Sequence, residues 1–177
     1  EKATLELIAQ VSGQKGITKA EMTDNKGNIV ASASQTTDDE GYVVMQLNVT
    51  KPKLWSPESP YLYKIRLTHS LNGKTLDEET HNVGIRTISV TKGGGFQLNG
   101  ITRKIKGVCL HHDLGPLGAA ENKAALIRQI KTMKEMGCDA IRTAHNMPST
   151  MQMDICDSLG MMVMAESFDM WIYPKCK

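Results

Sequence analysis

Three apolar runs in this chain each end abruptly in side chains that carry charge or exchange hydrogen bonds. That arrangement limits the fold more than any other feature. Gly107-Val108-Cys109-Leu110 leads into His111-His112-Asp113. Ala140-Ile141 leads through Arg142-Thr143-Ala144 into His145-Asn146, and Met161-Met162-Val163-Met164-Ala165 ends at Glu166. Between the runs the apolar period changes. Ala124, Ile127, Ile130, Met133 and Met136 recur at three- and four-residue steps, which predicts a helix with one apolar face and with Lys123, Arg128, Lys131 and Lys134 facing water. Gly137 is placed to stop it. A second helix is predicted over roughly Thr150 to Leu159, with Met151 and Ile155 four apart and Gly160 as its stop. The order strand, helix, strand, helix, strand predicts βαβ units around a parallel sheet. Such folds build their pockets at the C-terminal ends of the strands, where the polar groups of this chain gather.

The first half follows another rule. Thr4-Leu5-Glu6-Leu7-Ile8-Ala9, Tyr42-Val43-Val44-Met45-Gln46-Leu47 and Tyr61-Leu62-Tyr63-Lys64-Ile65-Arg66-Leu67 alternate with the period of half-buried strands. Turn residues separate them at Asp24-Asn25-Lys26-Gly27-Asn28, at Thr37-Asp38-Asp39-Glu40-Gly41 and at Asn72-Gly73. The last pair is the strongest hairpin signal, since both residues tolerate the positive φ of a type I′ turn. Short strands without helical period predict an antiparallel, immunoglobulin-like sandwich. Pro52, Pro57 and Pro60 mark a loop that packs through Trp55. The expected domains are residues 1–92, a β-sandwich, and residues 93–177, an α/β region opened by Gly93-Gly94-Gly95.

A chain of 177 residues with 40% hydrophobic and 23% charged residues can bury a core. A net charge of +2 gives no reason to expect nucleic acid or an anionic membrane as partner. No apolar run approaches the roughly 20 residues of a membrane span. Cys109, Cys138, Cys156 and Cys176 have neither CxxC spacing nor the density of a disulfide scaffold, and read as buried or free thiols. A chain that opens on Glu1 reads as a piece of a longer polypeptide. His111, His112, Asp113, His145 and Glu166 have metal-ligand chemistry but lack a diagnostic close spacing such as HExxH.

Leu54-Trp55-Ser56-Pro57-Glu58-Ser59-Pro60-Tyr61-Leu62-Tyr63, Gly84-Ile85-Arg86, Phe96-Gln97-Leu98-Asn99-Gly100 and His111-His112-Asp113 come in the order found in family 2 of the glycoside hydrolases. Ile141-Arg142-Thr143-Ala144-His145, Cys156-Asp157-Ser158-Leu159-Gly160 and Glu166-Ser167-Phe168-Asp169-Met170-Trp171 continue the match. The chain resembles that family over nearly its whole length, and within it the β-galactosidases. The resemblance implies an immunoglobulin-like sandwich followed by the first three strands of a truncated (β/α)8 barrel. From Phe96 onward only about 80 residues are present, against roughly 250 for a complete barrel. The implied activity is retaining hydrolysis of terminal β-galactosides. β-Glucuronidase or another family 2 glycosidase is the alternative, and a non-catalytic interaction module a further one.

Family 2 enzymes use an acid/base glutamate within an Asn-Glu pair and a later nucleophilic glutamate. No Asn-Glu dipeptide occurs here, so the chain by itself is expected to be inactive, with no catalytic residue of its own. By resemblance, His111, His112, Asp113, His145, Asn146 and Glu166 would hold sugar hydroxyls, Trp171 would stack on a sugar ring, and Arg142 would support them by pairing with a carboxylate. Capping of loop amides remains an alternative for His111, His112 and Asp113, and core packing for Trp171. No cofactor is expected in the chain, although the resemblance leaves room for a divalent cation in the parent enzyme. The partner is a β-galactoside or related carbohydrate, and open barrel edges imply self-association. Three departures stand out: Asn146-Met147 where the family usually has Tyr-Pro after the histidine, Asp139 where it usually has Asn, and His111-His112-Asp113 in place of a common His-Glu pattern.

Overall fold

The alternation read at residues 42–47 runs the full length of β4 (Tyr42–Thr50), where Val43, Met45, Leu47 and Val49 are buried and their neighbours exposed. The computed structural model describes residues 1–13 and 15–169 and divides the chain into two units. In the first, Glu1–Leu54 with Tyr61–Ile85, β4 pairs antiparallel with β1 (Lys2–Gln10). A second antiparallel sheet has the order β3-β2-β5-β6, built from β2 (Ile17–Thr23), β3 (Ile29–Thr36), β5 (Tyr63–Leu71) and β6 (Lys74–Val83). The inner faces of both sheets supply one core, with Ala20, Met22, Val43, Leu47, Tyr63 and Ile65 at its centre. This is an immunoglobulin-like sandwich. The β5–β6 hairpin turns at Asn72-Gly73 with φ of 51° and 77°, as the type I′ reading requires. Asp24 and Asp38 hold the other two turns by accepting backbone N–H bonds from residues two and four positions on.

The alternation named neither β3 nor β6, the two edges of the four-stranded sheet. Residues 29–36 carry mostly small and polar side chains, and nine of the ten residues of β6 are exposed. The charged side chains of β6 discourage its edge from pairing with a further strand.

The second unit comprises Trp55–Pro60 and the chain from Arg86 onward. It opens with an antiparallel meander of β7 (Ile88–Thr91), β8 (Gly95–Leu98) and β9 (Ile101–Thr102), in which Lys92-Gly93-Gly94 makes the β7–β8 turn. Three parallel strands follow in the order β10-β11-β12: β10 (Gly107–Leu110), β11 (Ala140–Thr143) and β12 (Met162–Ala165). Helix α1 (Lys123–Glu135) connects the first two and α2 (Thr150–Leu159) the next two. This is the start of a (β/α)8 barrel, with an open sheet. Ile141 packs with Leu126, Ile130, Ile155, Cys156 and Met161 on the helix side. The alternate positions, Cys109, Arg142 and Met164, lie in register on the opposite face. Among the described residues no helix is long and apolar enough to cross a membrane.

Helix starts follow from capping. Asn122 accepts from the Ala125 N–H and Ser149 from the Gln152 N–H, each satisfying a free amide of a first turn. Gly160 ends α2 at φ 74°, and a Cβ there would meet the Pro57 carbonyl oxygen at 2.5 Å. The predicted helix faces need four corrections, the first being Ala124, which is exposed where Leu126 takes the buried face of α1. Met136 lies past the end of α1 and is exposed, and Met151 sits in the solvent-facing first turn of α2, where Gln152, Ile155 and Cys156 take the buried face. Lys134 does not face water. Its ammonium donates to the carbonyls of Pro57 and Gly160, at 2.9 and 3.1 Å, and of Leu159. It thereby neutralises the carbonyl end of α2.

The proline loop packs through Trp55, as its composition predicts. The indole is 2% exposed, donates to the Asp157 carbonyl at 2.8 Å and lies beneath the Arg86 guanidinium. Asn99 donates to the Trp55 carbonyl. Arg103 binds Glu58 and Asp139 together, at 2.7 and 2.8 Å. That ion pair gives Asp139 a charged partner for the oxygen not taken by the Lys106 N–H, which accounts for a carboxylate where the resemblance leads one to expect asparagine.

Candidate functional site

Parallel register sets the level of the site. Leu110, Thr143 and Ala165 end their strands as aligned partners, so the residues just beyond them emerge side by side. The Ala144 N–H donates to the Leu110 carbonyl at 2.8 Å, and the Glu166 N–H donates to Thr143 Oγ1 at 3.1 Å. Thr143 is buried and holds the start of the third polar end in place.

Glu166 is the hub. Its Oε1 accepts from Arg142 Nε at 2.6 Å and pairs with Nη2 of the same guanidinium, while Oε2 lies 2.9 Å from His145 Nδ1. The His111 ring meets the His145 ring edge-on, with centroids 5.4 Å apart. Arg142 also reaches the Cys109 sulfur at 3.5 Å on the neighbouring strand. The guanidinium holds the Glu166 carboxyl below the ordinary carboxylate range, burial opposes this, and the hydrogen bond to His145 adds to the lowering. A concavity of about 360 Å³ lies at this corner, lined by Arg142, His145, Ala165, Glu166, Ser167, Phe168 and Asp169.

The structure therefore brings His111, His145, Glu166 and Arg142 together. The carboxylate partner expected for Arg142 is Glu166 itself. Asn146 follows on the exposed loop. His112 and Asp113 go elsewhere, lining a separate cavity of about 30 Å³ with Leu126, Gln129 and Gln152. There Asp113 accepts from the Gly115 N–H at 2.8 Å, and His112 Nε2 is buried without a partner. Trp171 lies outside the described residues. Thr143, Phe168 and Asp169 stand within the motifs that carry the family resemblance and at the ends of β11 and β12, but are not among the expected site residues. Cys109 is exposed beside Arg142, whereas Cys156 is buried and its thiol pushed up to about 12 by burial.

A larger concavity, about 540 Å³, is predominantly apolar and runs between the meander and the strands, past Ile88, Phe96, Leu98, Ile105 and Met164. These are side chains of the type that fill a barrel interior, so the polar corner at the strand ends is the better candidate for chemistry. Among the described residues no three His, Cys, Asp or Glu side chains are grouped to hold a metal ion.

Two family models divide the chain between them: Glycosyl hydrolases family 2 matches residues 2–86, and Glycosyl hydrolases family 2, TIM barrel domain, matches residues 88–170. A beta-galactosidase of Bacteroides ovatus is 44% identical over 154 residues, covering 85% of this chain and 18% of that protein. A beta-glucuronidase of Bacteroides fragilis is 33% identical over 69% of this chain and 18% of its own length. A solved structure of a glycosyl hydrolase family 2 member from Bacteroides cellulosilyticus superposes with a TM-score of 0.89 at 38% identity, over 99% of this chain and 24% of that one. The chain thus spans about a fifth of the length of these relatives.

Proposed function

The chain belongs to family 2 of the glycosyl hydrolases, and from that premise we propose that it supplies the sugar-holding corner of a retaining β-glycosidase whose substrates are terminal β-galactosides. The observation that supports this reading is the convergence of His111, His145 and the Arg142–Glu166 pair at the C-terminal ends of three adjacent parallel strands. Imidazoles and a fixed carboxylate both suit a ring of hydroxyl groups, which donate and accept. Bonds to those hydroxyls that tighten as the sugar ring flattens would lower the barrier to cleavage.

Glu166 is not the proton donor in this reading. A general acid must keep its proton near working pH, which requires a raised pKa, and Arg142 holds Glu166 ionised. Both its oxygens are already committed. The acid/base and nucleophile, about 5 to 5.5 Å apart in a retaining enzyme, would come from sequence other than these 177 residues.

Relatives named for galactosides and for glucuronides both match, so the test compares the two sugars. A polypeptide carrying this chain within a complete barrel is assayed with p-nitrophenyl β-D-galactoside and β-D-glucuronide, beside the 177-residue chain alone. The longer polypeptide should show the higher kcat/KM on the galactoside, and the chain alone no turnover above a heat-killed control. Preference for the glucuronide would overturn the sugar assignment. Turnover by the chain alone would overturn the division of labour.

A further inference from the structure

The corner also fixes which nitrogen of one histidine carries the proton. We infer that Glu166, itself oriented by Arg142, is a positioning residue that holds His145 in the Nδ1–H form and so presents Nε2 as a hydrogen-bond acceptor for a sugar hydroxyl. The inference rests on the sugar-holding reading for its purpose but not for its test.

A neutral imidazole has one N–H and one bare nitrogen, and the partner of one decides the state of the other. His145 Nδ1 faces Glu166 Oε2 at 2.9 Å. An ionised carboxylate only accepts, so a bare Nδ1 would set lone pair against lone pair, and the proton belongs on Nδ1. Glu166 cannot swing away to relieve the contact, because its other oxygen is held by Nε and Nη2 of Arg142. The His111 ring packed edge-on limits rotation of the His145 ring. Nε2 is then left with its lone pair and calls for a hydroxyl that donates.

Arg142 has only donors to offer, and this makes the arrangement testable by a pair of substitutions. In Glu166→Gln the side chain has a single oxygen. If Arg142 takes it, the amide NH2 is turned towards His145, Nδ1 must accept, and the proton moves to Nε2. In Arg142→Met with Glu166→Gln nothing claims the amide oxygen, which can turn to His145 and restore Nδ1–H. Arg142→Met alone leaves a carboxylate facing the ring and should not change the form.

The readout is the long-range 1H–15N correlation spectrum of the histidine-labelled 177-residue chain at about pH 8, above the ordinary histidine pKa of about 6.5. His145 is assigned from the peaks lost in His145→Gln. The expected order is Nδ1–H in the native chain, Nε2–H in Glu166→Gln, and Nδ1–H in both Arg142→Met and the double variant. A role for Glu166 in folding alone would not produce loss and recovery of one proton position. Nε2–H in the native chain would overturn the inference without any variant. Nδ1–H persisting in a folded Glu166→Gln chain, or Nε2–H persisting in the double variant, would overturn it too. No sugar enters the measurement, so its failure is distinct from failure of the substrate assay.

Discussion

Replacing Lys134 with Met should cost the second unit about 3 kcal/mol, the low end of what its contacts contribute. The lysine ammonium donates to three backbone carbonyls, of Pro57, Leu159 and Gly160, and Met keeps the aliphatic stem while removing every donor. Hydrogen bonds involving a charged group contribute about 1.5–3 kcal/mol each. Three such bonds would suggest more than the stated loss, but two effects reduce it. Freeing the long side chain returns about 1.5–2 kcal/mol of conformational entropy, and partly buried carbonyls recover some hydration. Loss of the positive charge at the end of α2 adds about 0.3–1 kcal/mol. The assay is urea unfolding followed by the fluorescence of Trp55 in a Trp171→Phe background. With a slope of about 1–3 kcal/mol per molar urea, the midpoint should fall by about 1 M or more. Lys131→Met, at an exposed position of the same helix, is the control and should move it little. A Lys134→Met midpoint no lower than that of the control would refute the reasoning.

Two further outcomes follow from the same unit. The Arg103 hydrogen bonds lower the Glu58 carboxyl from 4.5 to about 2, so its contribution to stability is complete above about pH 4.5 and is lost as pH falls towards 2. Solvent screens this pair, since 66% of the Glu58 side chain is exposed. Urea midpoints at pH 6 and pH 3 should therefore differ modestly more in the native chain than in Glu58→Gln, and equal differences would remove the linkage. Self-association is expected through the open sheet, where among the described residues strands β10 and β12 each leave one edge unpaired and Met164 is 57% exposed. Sedimentation over a concentration series should show rising average mass. A strictly monomeric chain whose β10–β12 amides are as protected from hydrogen exchange as those of the sandwich would count against it.

Periodicity in the sequence carried β1, β4, β5 and both helices because their buried faces are apolar at regular steps. It did not carry β3 and β6, whose positions at sheet edges release them from that pattern, nor the central strand β2, whose buried positions include the polar Thr18 and the small Ala20. Lys134 shows a second limit: a helical wheel counts it as a water-facing charge, yet the carbonyls that hold it belong to residues up to 77 positions away. At the site, the polar strand ends were legible as a group, but their partition was not. Which of His111, His112 and Asp113 turns towards Glu166 depends on backbone geometry after β10, where His112 takes φ 53°. The partner of Arg142 was legible as a carboxylate and became a particular one only through parallel register, which sets Glu166 one residue beyond the partner of Thr143.

In the polypeptide that carries this chain within a complete barrel, kcat/KM for p-nitrophenyl β-D-galactoside should fall by on the order of a hundredfold or more in His145→Ala, because a bond made mainly in the transition state accounts for about 3 kcal/mol. The circular dichroism and urea midpoint should stay near native, since the His145 side chain is partly exposed and outside the core cluster. A folded His145→Ala enzyme with kcat/KM within about twofold of native would contradict the assignment of this corner to the sugar.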